Sequence, residues 1–185
     1  MRSDSEAIYD QMLVLRFQRG DMTAVEELIA RWDRRLLYYI GNLVGQEADA
    51  LDVLQETWIR VFRHLRKLRE PQTLPKWLYT VARNTAFKYV RAMPISPELV
   101  DRDAPVESVG IDRNLEVREN AEQVHSALGR LPTVQRDILT LHYLSDVPLQ
   151  DIAEIIQIPV GTAKSRLFHA RQALKRILNE DYGHE

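Results

Sequence analysis

The chain has 185 residues, with 25 Lys or Arg, 27 Asp or Glu, and a formal charge of −2, which predicts one domain or two small ones. The absence of cysteine excludes disulfides, thiol catalysis and cysteine-ligated zinc or iron–sulfur sites, and a 45% apolar content argues against a wholly disordered chain. No run approaches the roughly 18 apolar residues of a membrane span, and the polar start is unlike a signal peptide, so we expect a cytoplasmic protein.

The charge is divided into blocks of opposite sign. Residues 31–91 hold 12 basic and 6 acidic side chains, residues 92–126 hold 3 and 8, and residues 159–178 hold 5 and none. Two basic blocks separated by an acidic one predict two surfaces that meet a polyanion. Solvated helix faces are the alternative on charge alone.

The first half of the chain has helical periodicity. Apolar residues at three- and four-residue spacing predict helices over 24–44 and 51–68. A third predicted helix starts near Pro75, a residue suited to a first helical turn, and runs through Tyr89. No alternating pattern or Asn-Gly turn indicates a β-hairpin. We therefore predict a three- or four-helix bundle.

The pattern breaks in the middle of the chain. Residues 92–115 contain three of the eight prolines and many acids, which is the composition of a linker. We place this acidic, Pro-containing linker at 93–115. Its negative charge predicts that it is repelled from DNA.

Helical signals resume in the second half. We predict a helix over about 114–129 that ends at Gly129, and a second helix that Pro132 opens. A short helix at about 149–157 and a last helix at about 162–178 follow. The second half is thus also predicted to be helical.

Residues 148–171 have the layout of a helix-turn-helix, with a short helix, a tight turn and a longer basic helix. Pro159 cannot continue the first helix. Gly161 is expected to relieve the backbone at the turn, and the Thr162 hydroxyl is expected to cap the second helix. An ordinary amphipathic helix hairpin with a basic outer face is the alternative.

The second helix of this motif carries donors for phosphates and base edges, and no acid lies between residues 159 and 178. Free N–H groups at its start add a site for a phosphate. The candidate DNA-binding residues are Thr162, Lys164, Ser165, Arg166, His169 and Arg171.

On these residues the segment 131–178 resembles region 4 of bacterial sigma factors of the extracytoplasmic-function (ECF) type, through its Leu-Pro, Ile-Ala, Pro-x-Gly-Thr-x-Lys-Ser-Arg and Ala-Arg pattern. The segments 49–58 and 77–84 resemble the acidic-Gln-Glu helix and the Trp-Leu…Ala-Arg-Asn helix of region 2. The resemblance implies an all-α protein of two helical domains. Region 2 is expected at 1–92 and region 4 at 116–180.

The resemblance implies that core RNA polymerase and promoter DNA are partners and that an anti-sigma factor is a regulator. In this family, region 2 binds the coiled-coil helices of the polymerase clamp. A carboxylate stripe beside apolar residues is compatible with a basic partner helix, although a solvated helix face is the alternative. The candidate polymerase-binding residues are Asp49, Asp52, Val53, Gln55, Glu56 and Ile59.

Region 2 of the family also melts and reads the minus-10 element of the promoter. The loop 69–75 corresponds to the loop that holds a flipped base, which needs a pocket to replace its stacking and pairing. Trp77 either stacks on a base or fills the bundle. The candidate minus-10 residues are Gln72, Thr73, Lys76, Trp77, Arg83, Asn84, Lys88 and Arg91.

The implied function is promoter-specific initiation of transcription, in which region 2 reads minus-10 and region 4 reads minus-35 in the major groove. The five histidines lack a paired metal spacing, and neither a glycine-rich phosphate loop nor a Ser-His-Asp arrangement is present. We therefore expect no catalytic residue, metal or cofactor in this chain.

Two other classes remain open from the residues alone. A stand-alone helix-turn-helix regulator reads DNA without polymerase, but it has no need of the helices at 49–58 and 77–84. A helical adaptor binds protein only. It predicts that Lys164→Ala and Arg166→Ala leave nucleic-acid binding unchanged.

Overall fold

The computed structural model describes residues 4–93 and 123–182, and within these ranges the backbone forms helices and turns without a strand. The predicted linker, apart from Met93, and the start of the helix predicted at 114–129 lie outside the described residues. The helices are α1 Asp4–Gln18, α2 Thr23–Val44, α3 Glu47–Leu65, α4 Leu74–Ala92, α5 at 123–129, α6 Thr133–Leu139, α7 Leu149–Ile155 and α8 Val160–Tyr182, with a 3₁₀ turn at Pro71–Thr73.

Helices α1 to α4 form the predicted bundle around a core that contains Trp32. The Trp32 ring is buried edge-on against Tyr79 of α4, with 6.0 Å between ring centroids. Its Nε1 donates to Asp10 Oδ2 at 3.2 Å, and Arg31 Nε donates to Asp10 Oδ1 at 2.8 Å. The buried carboxylate of Asp10 therefore fastens α1 to α2.

The spacing of apolar residues indicates α1 less clearly than it indicates α2, α3 and α4. Leu13 and Val14 are buried, but Ile8 and Met12 are 64% and 40% exposed. Apolar residues thus lie on both sides of α1, and a buried acid, Asp10, lies on its inner side. A one-sided apolar stripe, which is the usual helix signal, is absent.

The second half contains the predicted helix-turn-helix, formed by α7 and α8. Ala153 of α7 and Ala163 and Ala170 of α8 are buried, and their small side chains let the two helices pack closely. As predicted, α5 ends at Gly129, and α6 begins directly after Pro132. Helix α6 continues into a π-helical turn at Thr140–Leu144.

The turn of the helix-turn-helix differs from the prediction. Helix α8 begins at Val160, because the Pro159 carbonyl accepts the Ala163 N–H at 2.9 Å. Thr162 therefore lies inside the first turn of α8, and the predicted capping role is wrong. The left-handed residue is Gln157, with φ of 57°, and Gly161 is helical, so the predicted role of Gly161 is also wrong.

A C-terminal capping motif of α7 explains why the turn comes earlier than predicted. The Ile158 N–H donates to the Ala153 carbonyl at 3.0 Å, and the Gln157 N–H donates to the Glu154 carbonyl at 3.2 Å. This is the Schellman pair of hydrogen bonds, in which one left-handed residue reverses the chain. Gln157 supplies that residue, so Gly161 is free to join α8.

We expect Gly161→Ala to raise the free energy of unfolding by about 0.5–1 kcal/mol, because alanine favours a helix and the added Cβ meets nothing within 4 Å. Gly20→Ala is the matched control. Gly20 has φ of 98°, so alanine there should lower the free energy of unfolding by about 1 kcal/mol. Urea unfolding measures both values, and a loss of stability in Gly161→Ala contradicts the helical assignment.

The two halves of the molecule pack against each other, with α6 and α7 lying on α2 and α4. Tyr39 donates to Asp137 Oδ1 at 2.7 Å, and Arg83 Nε donates to Asp137 Oδ2 at 2.8 Å. Arg136 donates to the Asn42 carbonyl at 3.2 Å. We call this packing the docked arrangement. No helix in the described ranges is both long and apolar enough to cross a bilayer.

Candidate DNA and polymerase interfaces

The first half of α8 presents an exposed surface with basic and hydrogen-bonding groups. Helix α8 buries Ala163, Leu167 and Ala170 on its inner side, which turns the residues between them outward. We call the exposed side chains on the opposite side the recognition face: Thr162, Lys164, Ser165, Phe168, His169 and Arg171. Five of these six were predicted from the sequence.

The sixth predicted residue, Arg166, is placed differently. Its side chain is partly buried and interacts electrostatically with Asp137, which lies in the docked arrangement. In this arrangement Arg166 is thus at the edge of the recognition face, beside the contact between the two halves.

The sequence analysis missed Phe168, which is 56% exposed on the recognition face. It was missed because only hydrogen-bond donors were counted, and an apolar ring offers none. The signal was available, since Phe168 falls between the inward positions Leu167 and Ala170. An exposed Phe ring suits contact with an apolar group such as the methyl group of thymine.

Helix α4 divides the predicted minus-10 residues between two neighbouring faces. Trp77, Asn84, Lys88 and Arg91 are separated by seven, four and three residues, which puts them on one stripe along the helix. Asn84, Lys88 and Arg91 are exposed, and Trp77 is partly buried. We call these four residues the α4 stripe.

The other two basic residues of α4, Lys76 and Arg83, lie under the second half of the chain. Lys76 forms an ion pair with Glu154 of α7, and Arg83 forms one with Asp137 of α6. The Arg83 side chain is only 16% exposed. These two cations are therefore covered in the docked arrangement, in contrast to the α4 stripe.

A cavity of about 370 Å³ lies at the start of α4 and opens beside both faces. Thr73 and Trp77 line it, and Glu154 closes one side. Gln72 is exposed and donates to Glu70 at 3.4 Å, and the Thr73 hydroxyl donates to the Glu70 carbonyl at 2.8 Å. Trp77 thus packs against the core and also presents a face to the cavity.

The outer side of α3 carries an exposed mixed stripe. Leu51 and Ile59 are 48% and 39% exposed, and Asp52 and Gln55 are exposed between them. We call these four residues the α3 stripe. Leu51 was not among the predicted polymerase-binding residues. It fits the three- and four-residue spacing of the apolar residues in this helix, which is the pattern of a core position.

Three predicted polymerase-binding residues lie off the α3 stripe. Val53 is 2% exposed and belongs to the core, so it offers no contact surface. Glu56 accepts a hydrogen bond from Arg60 at 2.8 Å, and this partner lowers the pKa of Glu56. Asp49 is partly buried, and its Oδ2 lacks a partner among the described residues.

The docked arrangement contains a titratable contact between α2 and α5. The Tyr38 hydroxyl lies 2.8 Å from His125 Nε2, and burial lowers the pKa of His125 below 6.5. As the pH falls through 6.5, the undocked chain takes up a proton before the docked chain does. The stability that His125 contributes above that pH is therefore lost in acid.

We expect the free energy of unfolding to fall between about pH 7.5 and pH 5.5, and we expect His125→Gln to flatten this part of the profile. Asp137 acts in the other direction, because burial raises the pKa of its carboxyl above 3.8, so the comparison of His125→Gln with wild type isolates the contribution of His125. Unfolding in urea at several pH values provides the measurement. If the free energy of unfolding depends on pH in the same way in His125→Gln and in wild type, His125 is not the source of this pH dependence.

Comparison with known proteins identifies two regions of the chain. Residues 28–93 match the family model for sigma-70 region 2, and residues 121–174 match that for sigma-70 region 4. A chain with these two regions is an RNA polymerase sigma factor. The described part of the chain holds no group of three His, Asp or Glu side chains that could bind a metal ion.

Relatives of known function cover almost the whole chain. It is 33% identical to the RNA polymerase sigma-H factor of Pseudomonas aeruginosa, over 91% of this chain and 93% of that protein. It is also 33% identical to the ECF RNA polymerase sigma-E factor of Escherichia coli K12, over 92% of this chain and 94% of that protein. The chain belongs to the ECF RNA polymerase sigma factors, which direct core polymerase to promoters.

Solved structures share the fold. CnrH in complex with the cytosolic domain of CnrY aligns with a TM-score of 0.71 and 21% identity, over 94% of this chain and 99% of that chain. The sigma factor RpoE in complex with the anti-sigma factor NepR from Bartonella quintana aligns with a TM-score of 0.66 and 25% identity, over 83% and 96%.

Proposed function

We propose that this sigma factor reads the minus-35 element with the recognition face of α8, reads the minus-10 element with α4 and the adjoining cavity, and binds core RNA polymerase with the α3 stripe. The observation that carries the proposal is the recognition face, which combines exposed cations with an exposed aromatic ring and has no acid between residues 159 and 178. Such a face suits the major groove of DNA.

The recognition face can supply both parts of DNA binding. Lys164 and Arg171 donate to phosphates, which position the helix, and Ser165, Phe168 and His169 reach base edges. In the described part of the chain no carboxylate pairs with Lys164 or Arg171, so their charges are available for DNA.

The α4 stripe and the cavity suit a separated DNA strand. Lys88 and Arg91 follow the backbone, Asn84 offers a polar contact, and Trp77 presents an aromatic face at the cavity mouth. Aromatic stacking and cation contacts together hold single-stranded nucleic acid. A flipped base in the cavity would meet Thr73, which lines it, and Gln72 is the exposed neighbour of Thr73 in the same loop.

The α3 stripe suits a helical partner because it places an exposed Ile and Leu beside a carboxylate and an amide. Core polymerase then performs the chemistry of RNA synthesis, and this chain contributes binding and positioning without catalysis of its own. We place that activity in the cytoplasm, together with the DNA.

We also propose that an anti-sigma protein controls this chain. CnrH and RpoE are solved in complex with protein partners, and the fold described here matches both. A partner that holds α6 and α7 on α2 and α4 would keep Lys76 and Arg83 covered. Copurification from cells before and after stress treatment, followed by mass spectrometry, tests this point.

The decisive experiment is runoff transcription from a pool of random promoters, using core RNA polymerase with and without this protein. Specific starts that need the protein support the proposal and yield the promoter sequence. If the protein binds duplex DNA but does not change where core polymerase starts transcription, a stand-alone regulator is supported instead.

With the promoter from that pool, we expect Lys164→Ala to weaken holoenzyme binding for all sequences and to reduce the salt slope by about 0.9. Arg19→Ala removes an exposed cation from the end of α1 and serves as the control. Binding is measured by fluorescence anisotropy at several salt concentrations. An equal effect of the two substitutions contradicts a phosphate contact from Lys164.

A further inference from the structure

Two carboxylates from the second half of the chain form ion pairs with two cations of α4. Asp137 of α6 is 1% exposed, and its Oδ2 accepts from Arg83 Nε at 2.8 Å. Glu154 of α7 pairs with Lys76. Lys76 and Arg83 are seven residues apart, so both point from the same face of α4 toward α6 and α7.

The contact at Arg83 is the more strongly built of the two. The Arg83 guanidinium stacks over the Phe87 ring at 4.4 Å, and Tyr39 donates to the second oxygen of Asp137 at 2.7 Å. Phe87 thus holds the guanidinium within the first half of the chain, and Tyr39 of the same half gives the second oxygen of Asp137 a partner in the docked arrangement. A fixed guanidinium binds a carboxylate or a phosphate with the same N–H groups.

We propose that Asp137 and Glu154 take the places of two DNA phosphates on α4, so that the docked arrangement and the minus-10 strand compete for Arg83 and Lys76. This inference rests on the proposed role of α4 in minus-10 binding. The two carboxylates contribute unequally. Glu154 is 61% exposed and its ion pair is screened by water, whereas Asp137 loses its burial and its partners Tyr39 and Arg83 when the halves separate.

The inference makes the free protein a weak binder of single strands although α4 is basic. The test compares the full-length protein with the variant Asp137→Asn/Glu154→Gln. The probe is a fluorescein-labelled single-stranded 15-mer of random sequence, and fluorescence anisotropy gives its affinity. We expect the variant to bind at least fivefold more tightly, and the slope of log affinity against log salt to steepen by about 1.4, or about 0.7 per phosphate contact.

The matched control is Glu26→Gln/Glu180→Gln, which neutralises two exposed carboxylates that do not pair with α4. It changes the net charge by the same amount. A variant that binds the 15-mer no more tightly than this control overturns the proposal. Adding Lys76→Ala and Arg83→Ala to the variant should remove the gain, and a gain that persists also overturns it.

Two measurements keep the test decisive. If Asp137→Asn fails to fold by circular dichroism, Glu154→Gln alone should still steepen the salt slope by about 0.7, and an unchanged slope overturns the proposal. Because the chain has no cysteine, Ala48→Cys and Gln172→Cys accept spin labels cleanly, and the distance between them should lengthen in the carboxylate variant. An unchanged distance overturns the proposal.

Failure of the proposed function has a separate signature. If α4 does not bind the minus-10 strand, Lys76→Ala/Arg83→Ala leaves runoff transcription unchanged. If only the competition is absent, that variant still loses transcription, and Asp137→Asn/Glu154→Gln behaves like its control.

Discussion

Replacing Trp32 with alanine should lower the free energy of unfolding by about 3–5 kcal/mol, which is the largest effect on stability that we expect from one substitution. Trp32 is 1% exposed and contacts Tyr79 edge-on. Its loss leaves a cavity between α2 and α4, and it also removes a donor from the buried Asp10. A buried carboxylate that loses a partner adds to the cost of the cavity.

Trp77→Ala is the matched control, because it removes the same side chain from a partly buried site that borders a cavity. We expect it to cost about 1–2 kcal/mol, since part of its surface already meets water. Urea unfolding followed by far-ultraviolet circular dichroism gives both values without a tryptophan signal. Equal costs would mean that Trp77 is as essential to the core as Trp32.

Ile59→Arg should weaken binding to core RNA polymerase by at least about thirtyfold, or about 2 kcal/mol, if the α3 stripe is the docking surface. Ile59 lies on the exposed side of α3 and is 39% exposed. The substitution therefore removes an apolar contact and inserts a charge without disturbing the core. The same charge opposes the basic partner helix that Asp52 of the α3 stripe is expected to meet.

Met22→Arg provides the control, because Met22 is 60% exposed and precedes α2, away from the α3 stripe. Competition with labelled wild-type protein for core polymerase measures affinity, and runoff transcription measures function. Binding that is equal in Ile59→Arg and wild type excludes the α3 stripe as the docking surface.

Local signals in the sequence determine much of this structure. Apolar spacing predicted the bundle and the helix-turn-helix, and Gly129 and Pro132 marked the break between α5 and α6. The turn before α8 was misread because Gly161 is the residue type most often associated with a turn. Hydrogen bonds to the end of α7 instead fix a left-handed Gln157, and residue type alone does not reveal that choice.

The docked arrangement could not be predicted, because it depends on contacts between residues far apart in the chain. Asp137 lies in a helix of the second half of the chain, and from the sequence alone an acid at this position is expected to be an ordinary solvated side chain. Its role appears only when Tyr39 and Arg83 are placed beside it. For the same reason the predicted minus-10 residues looked like one set, whereas packing divides them between a covered face and an open one.

The cavity beside α4 has walls from both halves of the molecule, since Trp77 and Lys76 come from one half and Glu154 from the other. A compound that fills it and touches all three walls would bind the docked arrangement in preference to the separated one. By linkage, such a ligand stabilises the conformation that it prefers, in proportion to its difference in affinity. Small molecules of this kind would act as inhibitors, because they would hold the docked arrangement and would also cover the side of Trp77 that we propose for the minus-10 strand, while leaving the recognition face of α8 uncovered.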